Sequence, residues 1–309
     1  MNFLKKIYKN YLYKYNFLNY YFDELKIQLS KNFLLDLDLN LDKIKRLDQV
    51  DYKVFSQNGE DGIIQYLIKS LKLKNIKFVE IGTEDYIESN TRYIFETMRC
   101  DGLIIDPLSN LEKKIKANLK NFWKNNLKIH NNFVNSQNII KILKRNEFQN
   151  DIDLFSIDID GIDYWIIKEL RPEISKIFVA EYNPYFGPEL EITVPNIKNF
   201  NRNSYHYSNL CWGVSLKSLI KIMVEKNYTF VGTNNFRNNA FFISNQYINQ
   251  IKIRKPNIKN LSEFTDAKYN ENRNKFGNLT YHHEKLSIIK DCEVINLKNN
   301  KLTKISKII

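Results

Sequence analysis

The stretch FVEIGTEDYIESNTR, residues 78–92, decides the fold. It opens on an apolar strand, Lys77–Ile81, that stops at Gly82. A glycine at that point lets the backbone turn sharply and come close to a ligand. In doubly wound sheets, ligands sit beyond the carboxyl ends of the strands, near the point where strand order reverses. Glu80 stands at the strand end, placed to accept from a ligand's amino group or to orient the loop around it. The full G-x-G-x-x-G fingerprint is absent, which disfavours a dinucleotide. From Ser89 to Thr97 the pattern turns helical, with Ser89 or Asn90 as the cap.

Outward from this stretch, apolar strands and helical segments alternate. Gly102–Ile105 is the next strand and ends at Asp106-Pro107. An acid there can take both ribose hydroxyls of a nucleoside, so Asp106 is a second candidate contact. A Lys- and Leu-rich helix follows over about 109–124, then a strand at Leu127–Phe133 and a helix at Asn138–Arg145. Ile152–Ile159 is a fourth strand, Tyr164–Leu170 a helix, and Lys176–Glu181 a fifth strand. Such alternation implies a parallel sheet with helices on both faces. Ser215–Lys226 is an amphipathic helix, and Tyr228–Val231 with Ala240–Ile243 reads as an antiparallel hairpin.

The chemistry gathers at the fourth and fifth strand ends. Asp158, Asp160 and Asp163 follow the fourth strand, and Glu181 and Asn183 follow the fifth. Like charges packed together need a cation, a proton or a donor. Asp158, Asp160, Glu181 and Asn183 are hard oxygen ligands suited to Mg²⁺ or Mn²⁺. The alternatives are that some of these acids cap the next helix, or that one contacts a ligand's amine. Asp160, Asp163 and His206, the last in the loop after the fifth strand, are the general-base candidates. Tyr182, Tyr185, Phe186 and Trp212 are aromatic candidates for stacking on a ring, with core packing as their alternative role. Phe55–Asp61, polar and just ahead of the first strand, reads as a cap and turn or as a cover over the ligand. His282-His283-Glu284 reads as a solvated pair.

Taken in order, FSQNGEDGII (55–64), FVEIGTEDYIESNTR, GLIIDP (102–107), LFSIDIDGIDYW (154–165), VAEYNPYFGP (179–188) and NNAFFIS (238–244) resemble the FkbM-like group of S-adenosylmethionine (SAM)-dependent methyltransferases. The resemblance covers roughly residues 51–245. It implies a class I, Rossmann-like methyltransferase sheet closed by a terminal antiparallel hairpin, with SAM as cofactor. It places Glu80 and Gly82 on the SAM loop, Asp106 on the ribose, and Asp158 and Asp160 as the acidic pair after the fourth strand. It also implies O-methylation of a sugar or glycan precursor. Thr83-Glu84-Asp85 departs from the glycine-rich continuation of that group. The acids are similar, too, to those of metal-dependent O-methyltransferases, with either Asp158 or Asp160 in the first position and Glu181 with Asn183 in the second. The rival readings are a nucleic-acid methyltransferase and a non-catalytic binding protein on the same fold.

The whole chain sets the remaining expectations. Its 309 residues are 43% hydrophobic and 14% aromatic, enough for a large core. The three domains expected are a helical extension over 1–50, the catalytic domain over 51–245 and a small C-terminal appendage over 246–309. Net charge is +12, but the lysines are spread along the chain, so a generally basic surface without a dedicated DNA site is expected. Phe3, Leu4, Ile7, Tyr8, Tyr11 and Leu12 recur at helical spacing among lysines. Residues 1–50 are therefore assigned to packing, an oligomer contact or a membrane surface. Cys100, Cys211 and Cys292 are few and far apart, which fits reduced cytoplasmic thiols and no zinc site. With no apolar run of transmembrane length, the expected location is the cytoplasm or the inner face of the membrane.

Overall fold

The protein is described by a computed structural model covering residues 2–119, 125–267, 272–280 and 285–309. The His282–Glu284 pair and the end of the helix expected to reach residue 124 lie outside the described residues. The chain forms two compact units, Met1–Lys43 and Ile44–Ile309. The first is one long helix, α1 (Asn2–Asn40), with a short 3-10 turn at Leu41–Lys43. Among the described residues no helix is long and apolar enough to cross a membrane.

The second unit is a doubly wound α/β sheet. In chain order it comprises α2 (Glu60–Ser70), β1 (Ile76–Ile81), α3 (Arg92–Thr97), β2 (Cys100–Asp106), α4 (Leu111–Asn118), β3 (Asn126–Asn131), α5 (Ile139–Arg145), β4 (Ile152–Ile157), α6 (Asp163–Glu169) and β5 (Ser175–Glu181). There follow β6 (Ile192–Thr193), α7 (Arg202–Tyr205), α8 (Leu216–Glu225), β7 (Tyr228–Thr233) and β8 (Asn239–Ser244). The C-terminal part adds α9 (Ser262–Thr265), β9 (Asn272–Arg273), β10 (Leu279–Thr280), α10 (Lys285–Ile288), β11 (Glu293–Asn296) and β12 (Lys301–Lys304).

The sheet order is β3-β2-β1-β4-β5-β8-β7. The first five strands run parallel, while β8 is antiparallel to both β5 and β7. The expected closing hairpin is therefore present. Strand order reverses between β1 and β4, which opens a crevice at their carboxyl ends. The inner strands are apolar on both faces, as helix-covered parallel strands must be. Val79, Ile81, Leu103, Ile105 and Ile157 pack in one cluster with Ile139, Ile166 and Leu219 from the helices. On the other face, Phe78 meets Phe95 of α3 edge to face, with centroids 6.4 Å apart.

Two boundaries differ from the sequence expectation. Helix α3 starts at Arg92, not Ser89, because Ser89, Asn90 and Thr91 all donate to the Glu80 carboxylate. Residues 246–309 do not stand apart as an appendage. Strand β11 pairs antiparallel with β6, Ile295 opposite Thr193, and β12 pairs with β11.

Candidate functional site

The crevice opens into a cavity of about 710 Å³, within the usual size of a small-molecule site. Its acids are Glu84 from the loop after β1, Asp158 and Asp160 from the loop after β4, and Glu181 at the end of β5. Facing them are Arg202, Arg273 and the amides of Gln57, Asn58, Asn201, Asn203, Asn209 and Asn238. Ile159, Phe200, Phe236 and Leu279 complete the lining.

Asp158, Asp160 and Glu181 each offer a carboxylate oxygen within 4.8 Å of the others. Burial, and then the neighbouring Asp160, pushes the Asp158 carboxyl well above the ordinary range. Burial, and then Asp158, does the same to Glu181. Glu181 is 5% exposed, and its Oε2 is buried with no hydrogen-bond donor. Such a pair shares a proton until a cation replaces it. Asp160 is different: it is half exposed, sits in the left-handed region at φ 54° and contacts the Arg202 guanidinium. The three acids with the orphaned Glu181 oxygen suit a hard divalent ion.

Other expected members of the site are engaged elsewhere. Asn183 is fully buried; its amide donates to the Leu210 and Trp212 carbonyls at 2.8 Å each, and its oxygen accepts from Tyr185 N–H. It caps a turn and is no metal ligand. Asp163 accepts from Ile159 N–H and Gly161 N–H, one on each oxygen, both at 3.1 Å. It holds the 158–163 loop and has no oxygen facing the cavity, so it is not the base. Burial raises its carboxyl to about 6. His206 does not line the cavity; its Nδ1 is hydrogen-bonded to Ser208 Oγ and its Nε2 lies 3.3 Å from Asp291. Tyr182, Tyr185, Phe186 and Trp212 are all buried and serve the core, not a ring-stacking surface.

The loop after β1 also departs from expectation. Both Glu80 oxygens are taken up by residues 89–91, with Ser89 Oγ at 2.6 Å and Asn90 N–H at 2.8 Å. Glu80 thus orients the loop and does not reach a ligand. Asp106 accepts from Glu84 N–H at 2.8 Å and Leu108 N–H at 2.7 Å, behind the loop and not on the cavity wall. Gly82 has φ 84°, and a Cβ there would lie 1.7 Å from the Asp158 carbonyl oxygen. Its close approach is to the β4 loop itself. The acid of this loop that does face the cavity is Glu84, raised by burial and then by Asp106. The sequence marked Glu84 only as a departure from a glycine-rich pattern.

The Phe55–Asp61 segment does cover the crevice, through Gln57 and Asn58. One Asp61 oxygen gathers the N–H groups of Val54, Phe55 and Ser56 within 2.8 Å. Glu60, wholly buried, accepts from the amides of Asn234 and Asn239 and from Asn58 N–H. The segment is thereby tied to the β7–β8 turn on the far side of the cavity.

No family description matches this chain, and no curated protein matches it in sequence. Among solved structures, it is similar to the N-terminal domain of EvdMO1 with SAH bound, at 8% identity and TM-score 0.40, over 61% of this chain and 80% of that one. It is similar to the CurJ carbon methyltransferase at 9% identity and TM-score 0.40, over 61% of this chain and 55% of that one. It is also similar to the cyclopropane synthase MmaA2 from Mycobacterium tuberculosis, at 7% identity and TM-score 0.33, over 59% of this chain and 66% of that one. Likenesses this distant say nothing of what this chain binds or acts on.

Proposed function

We propose that the chain is a SAM-dependent O-methyltransferase whose acceptor is a hydroxyl of a sugar or glycan precursor. The observation that carries the reading is the cavity at the reversal point of a hairpin-closed parallel sheet, with the Asp158–Glu181 pair on its wall. The resemblance of the ordered motifs to the FkbM-like group supports the same reading. Amide-rich walls, able both to donate and to accept, suit a polyhydroxylated acceptor. Phe200 and Phe236 offer the apolar surface for a ring.

SAM would supply an electrophilic methyl carbon at its sulfonium. The chain's part is to hold the acceptor oxygen in line with it and to take the hydroxyl proton. Asp158 and Glu181 form the proton acceptor, because burial and mutual repulsion raise their proton affinity above that of an ordinary carboxylate. Arg202 holds Asp160 and so limits how much negative charge the pair must bear. Glu84, not Glu80, is the acid of the first loop placed to accept from a bound nucleoside. In a cation-loaded chain the base role of the Asp158–Glu181 pair would lapse: Asp158, Asp160 and Glu181 would instead hold Mg²⁺ or Mn²⁺, which would lower the pKa of the acceptor hydroxyl.

The four acids on the cavity also weigh against a nucleic-acid acceptor, since phosphates would meet like charge there. The open cavity weighs against a non-catalytic scaffold. The test is a strain lacking the gene: a surface glycan or its precursor should lose the mass of one methyl group, and purified chain with SAM should restore it. Glu181→Gln should lower turnover by about 10²–10⁴ while SAM still binds. Unchanged glycan mass would remove the sugar acceptor, and wild-type turnover in Glu181→Gln would remove the pair from the chemistry. Activity that survives exhaustive chelation would remove the cation but not the methyl transfer.

A further inference from the structure

A second cluster of reactive side chains lies off the cavity. His206 and Cys211 belong to the long loop between β6 and α8, while Asp291 and Cys292 directly precede β11. The β6–β11 pairing draws these segments together, and Tyr205 Oη donates to the Glu293 carbonyl at 2.6 Å. One nitrogen of His206, one oxygen of Asp291 and the sulfur of Cys292 all lie within 4.8 Å of one another. Cys211 is fully buried and lies outside this group.

His206 shows what the cluster lacks. Its side chain is 9% exposed, and Nε2 lies 3.3 Å from Asp291 Oδ1, off the line of a hydrogen bond. Buried Nε2 makes no hydrogen bond at all. An orphaned buried polar atom carries a desolvation cost that a ligand would relieve. The other ring nitrogen, Nδ1, is fixed 2.7 Å from Ser208 Oγ. One nitrogen held by a hydroxyl while the other points at a thiol and a carboxylate is the posture of a metal-bound imidazole.

We infer that His206, Asp291 and Cys292 form a three-ligand site for Zn²⁺. A thiolate, an imidazole and a carboxylate match the N, S and O preferences of zinc and not those of Mg²⁺ or Ca²⁺. Bonds of roughly 2.0–2.3 Å would draw the ligand atoms inward from their present spacing. The ion joins two stretches of the chain that are distant in sequence. It ties the C-terminal segment to the same loop that sends Phe200, Arg202 and Asn209 into the cavity wall. The ligands come from two distant stretches with no CxxC between them, which is why the sequence speaks against zinc.

The test uses the reduced full chain loaded with Zn²⁺ and, separately, with Co²⁺. The expected result is one zinc retained per chain after dialysis, and a thiolate-to-cobalt charge-transfer band with tetrahedral d–d absorption. Cys292→Ser should lose that band and weaken zinc binding by more than about tenfold. The double variant Asp158→Asn with Glu181→Gln should keep it, which separates this site from the acidic cavity. Where Cys292→Ser fails to fold, Asp291→Asn, at a side chain that is 63% exposed, should weaken zinc binding and shift the d–d absorption while the thiolate band remains. A wild-type chain without the cobalt–thiolate band, a band unchanged in Cys292→Ser, zinc affinity unchanged in Asp291→Asn, or a Cys211–Cys292 disulfide in place of bound zinc would overturn the proposal.

Discussion

Asp163 and Asp61 share one situation at the residue scale: each is buried, holds backbone N–H groups, and has its carboxyl raised from 3.8 to about 6. Burial is the main cause in both. Between those pH values the folded chain holds protons that the unfolded chain has released. The stabilisation is therefore full below about pH 4 and is lost as pH rises through about 6. Asparagine does not titrate, so the stability gap between wild type and Asp163→Asn should shift in favour of the variant across this window. The full shift is about 3 kcal/mol, at roughly 1.4 kcal/mol per pH unit. Urea unfolding from pH 4 to 7.5 reads it, and a gap that stays constant with pH would refute it. The Asp158–Glu181 pair gives the matching prediction for binding. Because both carboxyls are raised, any cation entering there must displace a proton. Its affinity should rise with pH, and calorimetry in buffers of different ionisation enthalpy should show proton release; pH-independent binding without release would contradict the shared proton.

At the scale of elements, the sequence exposed the strands and the hairpin, because buried parallel strands are runs of apolar residues bounded by turns. It also located the acids at the strand ends. What it left open was their direction. Glu80, Asp106 and Asp163 face loops, while Glu84, Asp158 and Glu181 face the cavity. That division depends on loop backbone in the left-handed region, at Gly82, Glu84, Tyr86 and Asp160, which hydrophobic periodicity does not encode. The two-residue strand β6 was likewise too short to register, and with it the docking of β11. Gly82 tests this level. Gly82→Ala places a methyl against the Asp158 carbonyl at φ 84°, so both strain and collision oppose it. Gly277 has a similar φ of 82° but open space around it. Gly277→Ala should cost about 1–2 kcal/mol from backbone strain alone, and Gly82→Ala clearly more, with displacement of the Asp158 loop. Equal costs in chemical denaturation would mean that the β1–β4 junction is not the close contact described.

For the molecule as a whole, composition announced a large core and a basic surface, and both belong to the bulk of the chain. The site runs against the bulk: a chain of net charge +12 gathers four carboxylates at one cavity. Net charge therefore describes the surface and not the ligand. The expected unit boundary near residue 50 falls at 43–44, and the C-terminal 60 or so residues join the sheet domain through strand pairing that only the folded chain shows. The central claim, a SAM site at the reversal point of this sheet, is tested most directly by titrating SAM into the purified full chain in a calorimeter. Saturable binding of one SAM per chain is expected, weakened in Glu84→Gln. A flat titration with wild-type protein, folded by circular dichroism, would contradict it.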